Sequence, residues 1–389
     1  MLLGGALLCG AAWAGPNDAL HPFVGLSYHY DDNLLRIADD SPGFIGPRSD
    51  TARRALAGVL FDKTYSRQKV YLLGKLSKVS FERFKRLDHD DKDFQARLDW
   101  QIGNHLEGKA SATYSQGLAP YADFRTTERN LREIERQAVE GAWRFHPSWR
   151  ARAGASREQY TYELARLRVN NRESDTVELG GDYLAASGST VGFQLRRIDA
   201  RYPNGRAIGQ IVFDDSFEQT EFKARVVWRY SEKTELSFLG GRVERKHARF
   251  GERDTSGTNA RADLNWSPRA ALRLTGSAWR EFAAVESVLA NASLSKGVSV
   301  DAVWAYSAKL KIDAQLRREK RDFRGLVVGL EGGALNDTSR YASVGAAWTP
   351  TQGSTVRLSA FRDARSGSPV FGNGDYRANG VSLSASIQF

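Results

Sequence analysis

The feature that most limits what this chain can fold into is an alternation of period two that recurs from end to end. Between Glu221 and Tyr230, the residues Phe222, Ala224, Val226, Trp228 and Tyr230 share one parity, and Glu221, Lys223, Arg225, Val227 and Arg229 share the other. Phe94, Ala96, Leu98, Trp100 and Ile102 oppose Gln95, Arg97, Asp99 and Gln101. Leu310, Ile312, Ala314 and Leu316 oppose Lys311, Asp313, Gln315 and Arg317. Successive side chains of a strand point to opposite faces, so each segment reads as a strand with one apolar and one charged face. A soluble sheet with one wet face shows the same alternation, but here the charged strands are too many for one sandwich.

Other classes fall away quickly. After residue 14 no apolar run approaches the roughly 18–20 residues that a membrane helix needs. The 42 aromatic residues are spread along the 389-residue chain, which argues against disorder. Cys9 is the only cysteine, so a disulfide scaffold and cysteine-built zinc or iron–sulfur sites are excluded. Met1 to Gly10 is a short apolar stretch followed by Ala12-Trp13-Ala14, an A-x-A processing pattern, although no basic residue precedes the apolar core. The expected division is a signal peptide over 1–14 and a single domain over 15–389. Leu8 precedes Cys9 where a lipid-anchored cysteine needs a small residue. Cleavage after Ala14 leaves a mature chain without cysteine, which suits an oxidising compartment.

Aromatic residues punctuate the strands. Phe61, Trp100, Trp143, Tyr183, Trp228, Trp266, Trp304 and Trp348 recur at intervals of 38 to 45 residues, each close to a short polar turn. Those turns include Asp62 to Ser66, Gly103-Asn104-His105, His146-Pro147-Ser148, Ser187-Gly188-Ser189 and Ser267-Pro268-Arg269. A propeller has a similar period but carries a Gly-His…Trp-Asp signature that is missing here. Two long strands, one tight turn and one long polar loop per repeat describe an outer-membrane barrel with aromatic girdles. The fold expected is therefore all-β, a transmembrane antiparallel up-and-down barrel of 16–18 strands, with 18 the better count. Its long loops are expected over Asn33 to Arg53, Gly117 to Asn130, Ala200 to Phe217, Phe323 to Asp337 and Ala364 to Asp375. Thr126 to Val139 also reads as an amphipathic helix, and Phe282 to Ser293 has no clear pattern. An even strand count puts both termini on the periplasmic side.

The charges must then face inward. The chain carries 42 Arg and 14 Lys against 46 acidic residues, a net +10. They are scattered singly, with no basic block for nucleic acid. An Arg facing lipid at mid-depth costs roughly 2–4 kcal/mol, which a strand bearing Lys223, Arg225 and Arg229 could not sustain three times over. Arg97, Asp99, Lys223, Arg225, Arg229, Arg273, Lys311, Asp313, Arg317 and Arg357 are the expected lumen residues. Two readings stay open. The excess of cations favours an anionic solute, or acids such as Asp99, Glu221 and Asp313 neutralise the wall. Trp100, Trp143, Trp228, Trp266, Trp304 and Trp348 are expected in one ring near the periplasmic interface, where amphipathic rings suit headgroup depth.

Val381, Leu383, Ala385, Ile387 and Phe389 oppose Ser382, Ser384, Ser386 and Gln388 up to the last residue. A terminal Phe closing such a strand resembles the signal read by the barrel-assembly machinery. The opening segment from Pro22 to Arg36, with its core Tyr30-Asp31-Asp32-Asn33-Leu34-Leu35-Arg36, resembles the start of the EpsL-type outer-membrane proteins. These are β-barrel porins encoded with exosortase-associated exopolysaccharide genes. The resemblance implies a role in exopolysaccharide export, with outer-membrane lipid, the assembly machinery and an anionic polysaccharide as partners. Read as residues, Asp31, Asp32 and Asn33 suit a turn at the end of the first strand, through side-chain to backbone bonds. Binding of Ca²⁺ or sugar by the outer loop is the alternative.

Catalysis is not expected. The six His residues are scattered, and no Ser-centred elbow motif accompanies them. No cofactor or metal site is expected either. Three functions remain: a porin for anionic polymer, a non-conducting barrel that anchors polysaccharide through its outer loops, and a general solute porin.

Overall fold

The alternating segments pair edge to edge without a break. The computed structural model describes residues 19–38, 46–122, 127–208, 211–247, 251, 254–284, 292–324, 335–367 and 375–389. The expected signal peptide, with Cys9, lies outside the described residues. In chain order the strands are β1 (Leu20–Asp31), β2 (Asp50–Tyr65), β3 (Gln68–Phe81), β4 (His89–Ile102), β5 (Leu106–Leu118), β6 (Leu131–His146), β7 (Trp149–Tyr162), β8 (Arg172–Leu184), β9 (Thr190–Arg201), β10 (Arg206–Ile208) and β11 (Ile211–Phe213). They continue as β12 (Phe217–Ser231), β13 (Thr234–His247), β14 (Thr255–Arg269), β15 (Leu272–Ala284), β16 (Ala292–Ala305), β17 (Leu310–Arg324), β18 (Asn336–Trp348), β19 (Ser354–Gly367) and β20 (Tyr376–Gln388).

β10 and β11 form a small hairpin of their own. The other strands make one 18-stranded antiparallel sheet. β9 pairs with β12 across the hairpin, and β20 pairs with β1, so the sheet is a closed barrel. Closure removes the edges, whose unpaired backbone groups would each cost several kcal/mol in hydrocarbon. Eight connections at one end have two to five residues each, and the other end carries the longer ones. Gly103 and Gly188 take φ of 59° and 80° in two of the short turns, a region that glycine enters without penalty.

Several local expectations change. The polar run Asp62 to Thr64 is strand rather than turn, because β2 stays paired with β3 to Tyr65 opposite Gln68. The turn is Ser66-Arg67, with Ser66 at φ 56°. The helix alternative for Thr126 to Val139 gives way to β6, which closure requires between β5 and β7; residues 123–126 lie outside the described residues. The unclear stretch Phe282 to Ser293 holds the end of β15 and the start of β16. Strands also run into several expected loops. β2 begins at Asp50, β17 extends to Arg324 and β19 to Gly367.

The two faces separate as the alternation requires. On β12, Phe222, Trp228 and Tyr230 are exposed, while Phe217, Gln219, Glu221 and Lys223 on the other parity are buried. The exposed parity continues around the barrel as an apolar belt that includes Leu98, Val139, Leu179, Leu195, Val300 and Leu316. A belt of this kind on a closed barrel suits hydrocarbon and makes the chain a membrane-spanning barrel. Inside the long-loop end, side chains pack into three small cores. Leu35, Val79, Phe81, Phe84, Leu87 and Tyr121 form one. Ala119, Tyr162 and Leu167 form another, and Ala200, Tyr202 and Phe217 the third. Single 3-10 turns, Lys85–Leu87 and Ala165–Asn170, carry Leu87 and Leu167 into them.

Candidate functional site

The inner wall carries the chemistry. At the short-turn end Trp149 and Tyr183 point outward and stack edge to face at 5.2 Å, so Arg150, Arg152 and Asp182 point inward. Arg150 Nη2 and Arg152 Nε each donate to Asp182 Oδ2 at 2.8 Å, and Arg225 Nη1 adds a third contact at 3.4 Å. Asp182 is completely buried under these three guanidiniums. It fits there because Gly192 stands opposite, where any Cβ would collide with the carboxylate. Glu107 also pairs with Arg150 at 3.3 Å and Glu178 with Arg152 at 4.0 Å, so Arg225 is the one guanidinium of the three that meets Asp182 alone. Beside it lies a cavity of about 490 Å³ whose rim also carries Asp99, Glu107, Lys109, Glu140 and Glu178.

Other predicted lumen residues lie on the same face. Arg97 pairs with Asp99 at 2.8 Å, and Arg229 with Glu235 at 3.0 Å. Arg317 pairs with Glu319 at 2.6 Å and lies over the Trp279 ring. Asp313 pairs with Arg357 through two hydrogen bonds of 2.6 and 2.7 Å, not with its chain neighbour Lys311. A planar guanidinium two strands away meets both carboxylate oxygens, which an ammonium on the same strand cannot. Arg273 and Lys311 are exposed on this face and make no ion pair among the described residues.

Lys223 departs from expectation. Its side chain points inward but is buried, not part of an open wall. Its Nζ donates to Glu221 Oε2 at 2.6 Å, and Gln219 Nε2 donates to Glu221 Oε1 at 2.6 Å. Arg245 donates to Gln219 Oε1 at 2.9 Å and sits 3.9 Å from the Phe217 ring centroid. Toward the long loops, Arg54, Lys75, His89, Asp91, Asp93 and Arg132 line a second cavity, of about 540 Å³.

The opening motif is a clasp. Asp31 Oδ1 accepts from the Asn33 amide at 2.8 Å. Asn33 Nδ2 donates to the carbonyls of Ile37 and Arg377, both at 2.9 Å. Asp32 accepts from the amide and the side chain of Asn379 at 2.7 and 2.8 Å. Arg36, at φ 53°, joins Asp31 at 2.8 Å to Asp363 at 3.1 Å. Burial works against the Arg36 charge, yet Asp31 and then Asp363 outweigh it and raise its pKa. The motif thus ties the first loop to β19 and β20.

All six predicted Trp residues point outward at the short-turn end. Trp143, Trp228, Trp266, Trp304 and Trp348 are exposed. Trp100 lies over Gly108 and Gly141, where a Cβ at Gly108 would strike its ring. Phe389 follows β20, and its amide donates to Pro22 O at 2.8 Å.

Sequence reasoning missed Asp182, Arg150, Arg152 and Arg245. The outward aromatics Trp149 and Tyr183 signal the inward parity of Arg150 and Asp182. Bringing them together with Arg225, which lies 43 residues further on, depends on strand register, which alternation alone does not give.

No protein-family model matches the chain, and no curated protein does. Among solved structures it is similar to the outer membrane protein OpdK of Pseudomonas aeruginosa, at 10% identity and a TM-score of 0.47, over 95% of this chain and 99% of that one. It is similar to OccAB3 of Acinetobacter baumannii at 8% identity and 0.48, over 95% and 99%. It is similar to the siderophore receptor PirA of Acinetobacter baumannii at 8% and 0.47, over 95% and 80%. Likeness at this level carries nothing about solute or role; the fold stands on the strand pairing itself.

Proposed function

We propose that the chain is an outer-membrane porin, with its short turns and both termini in the periplasm, that passes anionic solutes through a mixed-charge lumen. The observation that carries this is the Asp182 site, where Glu107 and Glu178 answer Arg150 and Arg152, and Arg225 is left with only a share of Asp182 at 3.4 Å. Arg225 and the exposed Arg273 and Lys311 present cations to the lumen, and in a low-dielectric wall such charges raise the local anion concentration. The paired residues around them keep that bias weak enough for a solute to leave. An anionic exopolysaccharide is the finer cargo, and its support is the resemblance of the opening segment. In this reading the outward Trp residues are the periplasmic girdle and Phe389 is the assembly signal.

Planar-bilayer conductance under a KCl gradient tests it. The expected reversal potential shows chloride preference, which falls when Arg225 and Arg229 become Ser. Oligosaccharides carrying uronate carboxylates should block the current at concentrations where neutral chains of equal length do not. The side chains packed inside the long-loop end favour a second reading, a non-conducting anchor. A barrel that inserts but carries no current selects it.

A further inference from the structure

The outer face above the apolar belt is not uniform. On β17 the outward residues run Leu310, Ile312, Ala314, Leu316 and then Arg318 and Lys320. On β18, Arg340 stands eight residues before Trp348, and on β16 Lys296 stands eight before Trp304. Eight residues span about 27 Å of strand, or roughly 20 Å of height at the usual tilt, against an apolar band about 25 Å tall. These cations therefore lie at headgroup depth on the long-loop side, still facing lipid.

They also face one another. Arg318 is directly opposite Arg340. Lys296 is directly opposite both Arg280 and Lys320. Arg362 lies diagonal to Arg340 across the next strand pair. Like charges placed directly opposite on neighbouring strands repel. Only Asp322 answers them from this face among the described residues, at 3.3 Å from Lys296 and 3.6 Å from Lys320. Arg318, Arg340 and Arg362 are exposed and have no ion-pair partner among the described residues. On the β7–β13 arc most outward charges close on themselves, with Arg242 on β13 exposed and without an ion pair among the described residues. Arg157 pairs with Glu173, Arg201 with Asp175, Arg197 with Asp199 and Glu218, and Lys246 with Glu244.

We propose that the β15–β19 arc is a binding surface for a phosphorylated lipid of the leaflet on the long-loop side. Its acyl chains would run along Val298, Leu316 and Val344, and its phosphates would sit among Arg318, Arg340 and Lys296. The guanidinium fork matches phosphate oxygens two at a time. Charge complementarity names the headgroup, and the apolar belt directly beneath names a lipid rather than a free anion. The proposal needs the belt to lie in lipid but not the lumen to conduct, so a non-conducting barrel leaves it standing.

The test uses the full-length protein in mild detergent and native mass spectrometry. The probes are an acylated glucosamine disaccharide bearing two phosphates and the same lipid with its phosphates removed. The wild-type barrel should retain the phosphorylated lipid preferentially. The variant Lys296→Ser/Arg318→Ser/Arg340→Ser should lose that preference, by about fivefold per cation removed. Arg157→Ser/Arg201→Ser on the opposite arc should retain lipid like the wild type. A heat-modifiable gel shift checks that each variant is folded. If the triple variant does not fold, Arg340→Ser alone decides, since it should still lower retention about fivefold. Equal retention by the variants and the wild type, or no preference for the phosphorylated probe, overturns the proposal. Displacement of the lipid by millimolar inorganic phosphate overturns the lipid assignment in favour of a soluble anion.

Discussion

The two ends of the barrel interior use the same residue types in opposite ways. Near the long loops, Glu221, Lys223, Arg245 and Gln219 are each no more than 5% exposed and bond one another. Near the short turns, Arg229 and Glu235 form a pair of similar length with side chains 59% and 37% exposed. Proximity of charges is the same at both ends, and access to water is not. A buried pair resists loss of one partner because the survivor keeps its desolvation cost. An exposed pair is screened and exchanges its partner for water. The loop end thus holds shape, and the turn end holds the field that a passing solute meets.

Substitutions can break this contrast. Glu221→Ala strands Lys223 in the wall and is expected to lower stability by about 3–5 kcal/mol. Urea unfolding in lipid vesicles measures it, and an unchanged midpoint would remove the distinction between the ends. Asp182→Asn should come next, at about 2–4 kcal/mol, because its guanidiniums keep partial access to the lumen. It should also increase chloride preference in the reversal-potential assay, and a shift toward cations would contradict the field assigned to this site. Arg36→Ala leaves Asp31 buried without its guanidinium, at a cost of about 1–3 kcal/mol. Its clearest readout is faster protease cleavage between residues 37 and 49 while β1 stays intact. Glu235→Gln should change stability by less than about 1 kcal/mol. Its expected trace is a small added chloride preference, and an effect on folding as large as that of Glu221→Ala would erase the comparison from the other side.

Much of the architecture was legible because alternation is a local property. The parity of Phe222 and Lys223, or of Leu316 and Arg317, needs no knowledge of neighbouring strands, and the short turns fall beside the aromatic residues that precede them. What stayed hidden depends on register and on depth. Lys223 and Arg229 share one parity on one strand, yet one is buried and the other is exposed, because the loops pack in at only one end. Asp313 sits two residues from Lys311 in sequence and bonds Arg357 across two strands. The Asp31–Arg36 segment reads as a turn, and its partners Asp363, Arg377 and Asn379 become neighbours only when the barrel closes.

That closing seam has a kinetic consequence. β1 and β20 make the strand pairing of greatest sequence separation, up to Phe23 opposite Gln388, and loop-closure entropy makes such pairings late events. The last strand of the barrel must therefore find the first across the whole sheet. A slip of one residue at that step would turn the Ser parity of β20 toward lipid and its Val, Leu and Ile parity inward. The seam is pegged at both ends, by Asp32 and Asn33 on Asn379 and Arg377 at the top and by the Phe389 amide on Pro22 at the bottom. A seam slipped by one residue would satisfy neither peg, so only the register seen here makes both.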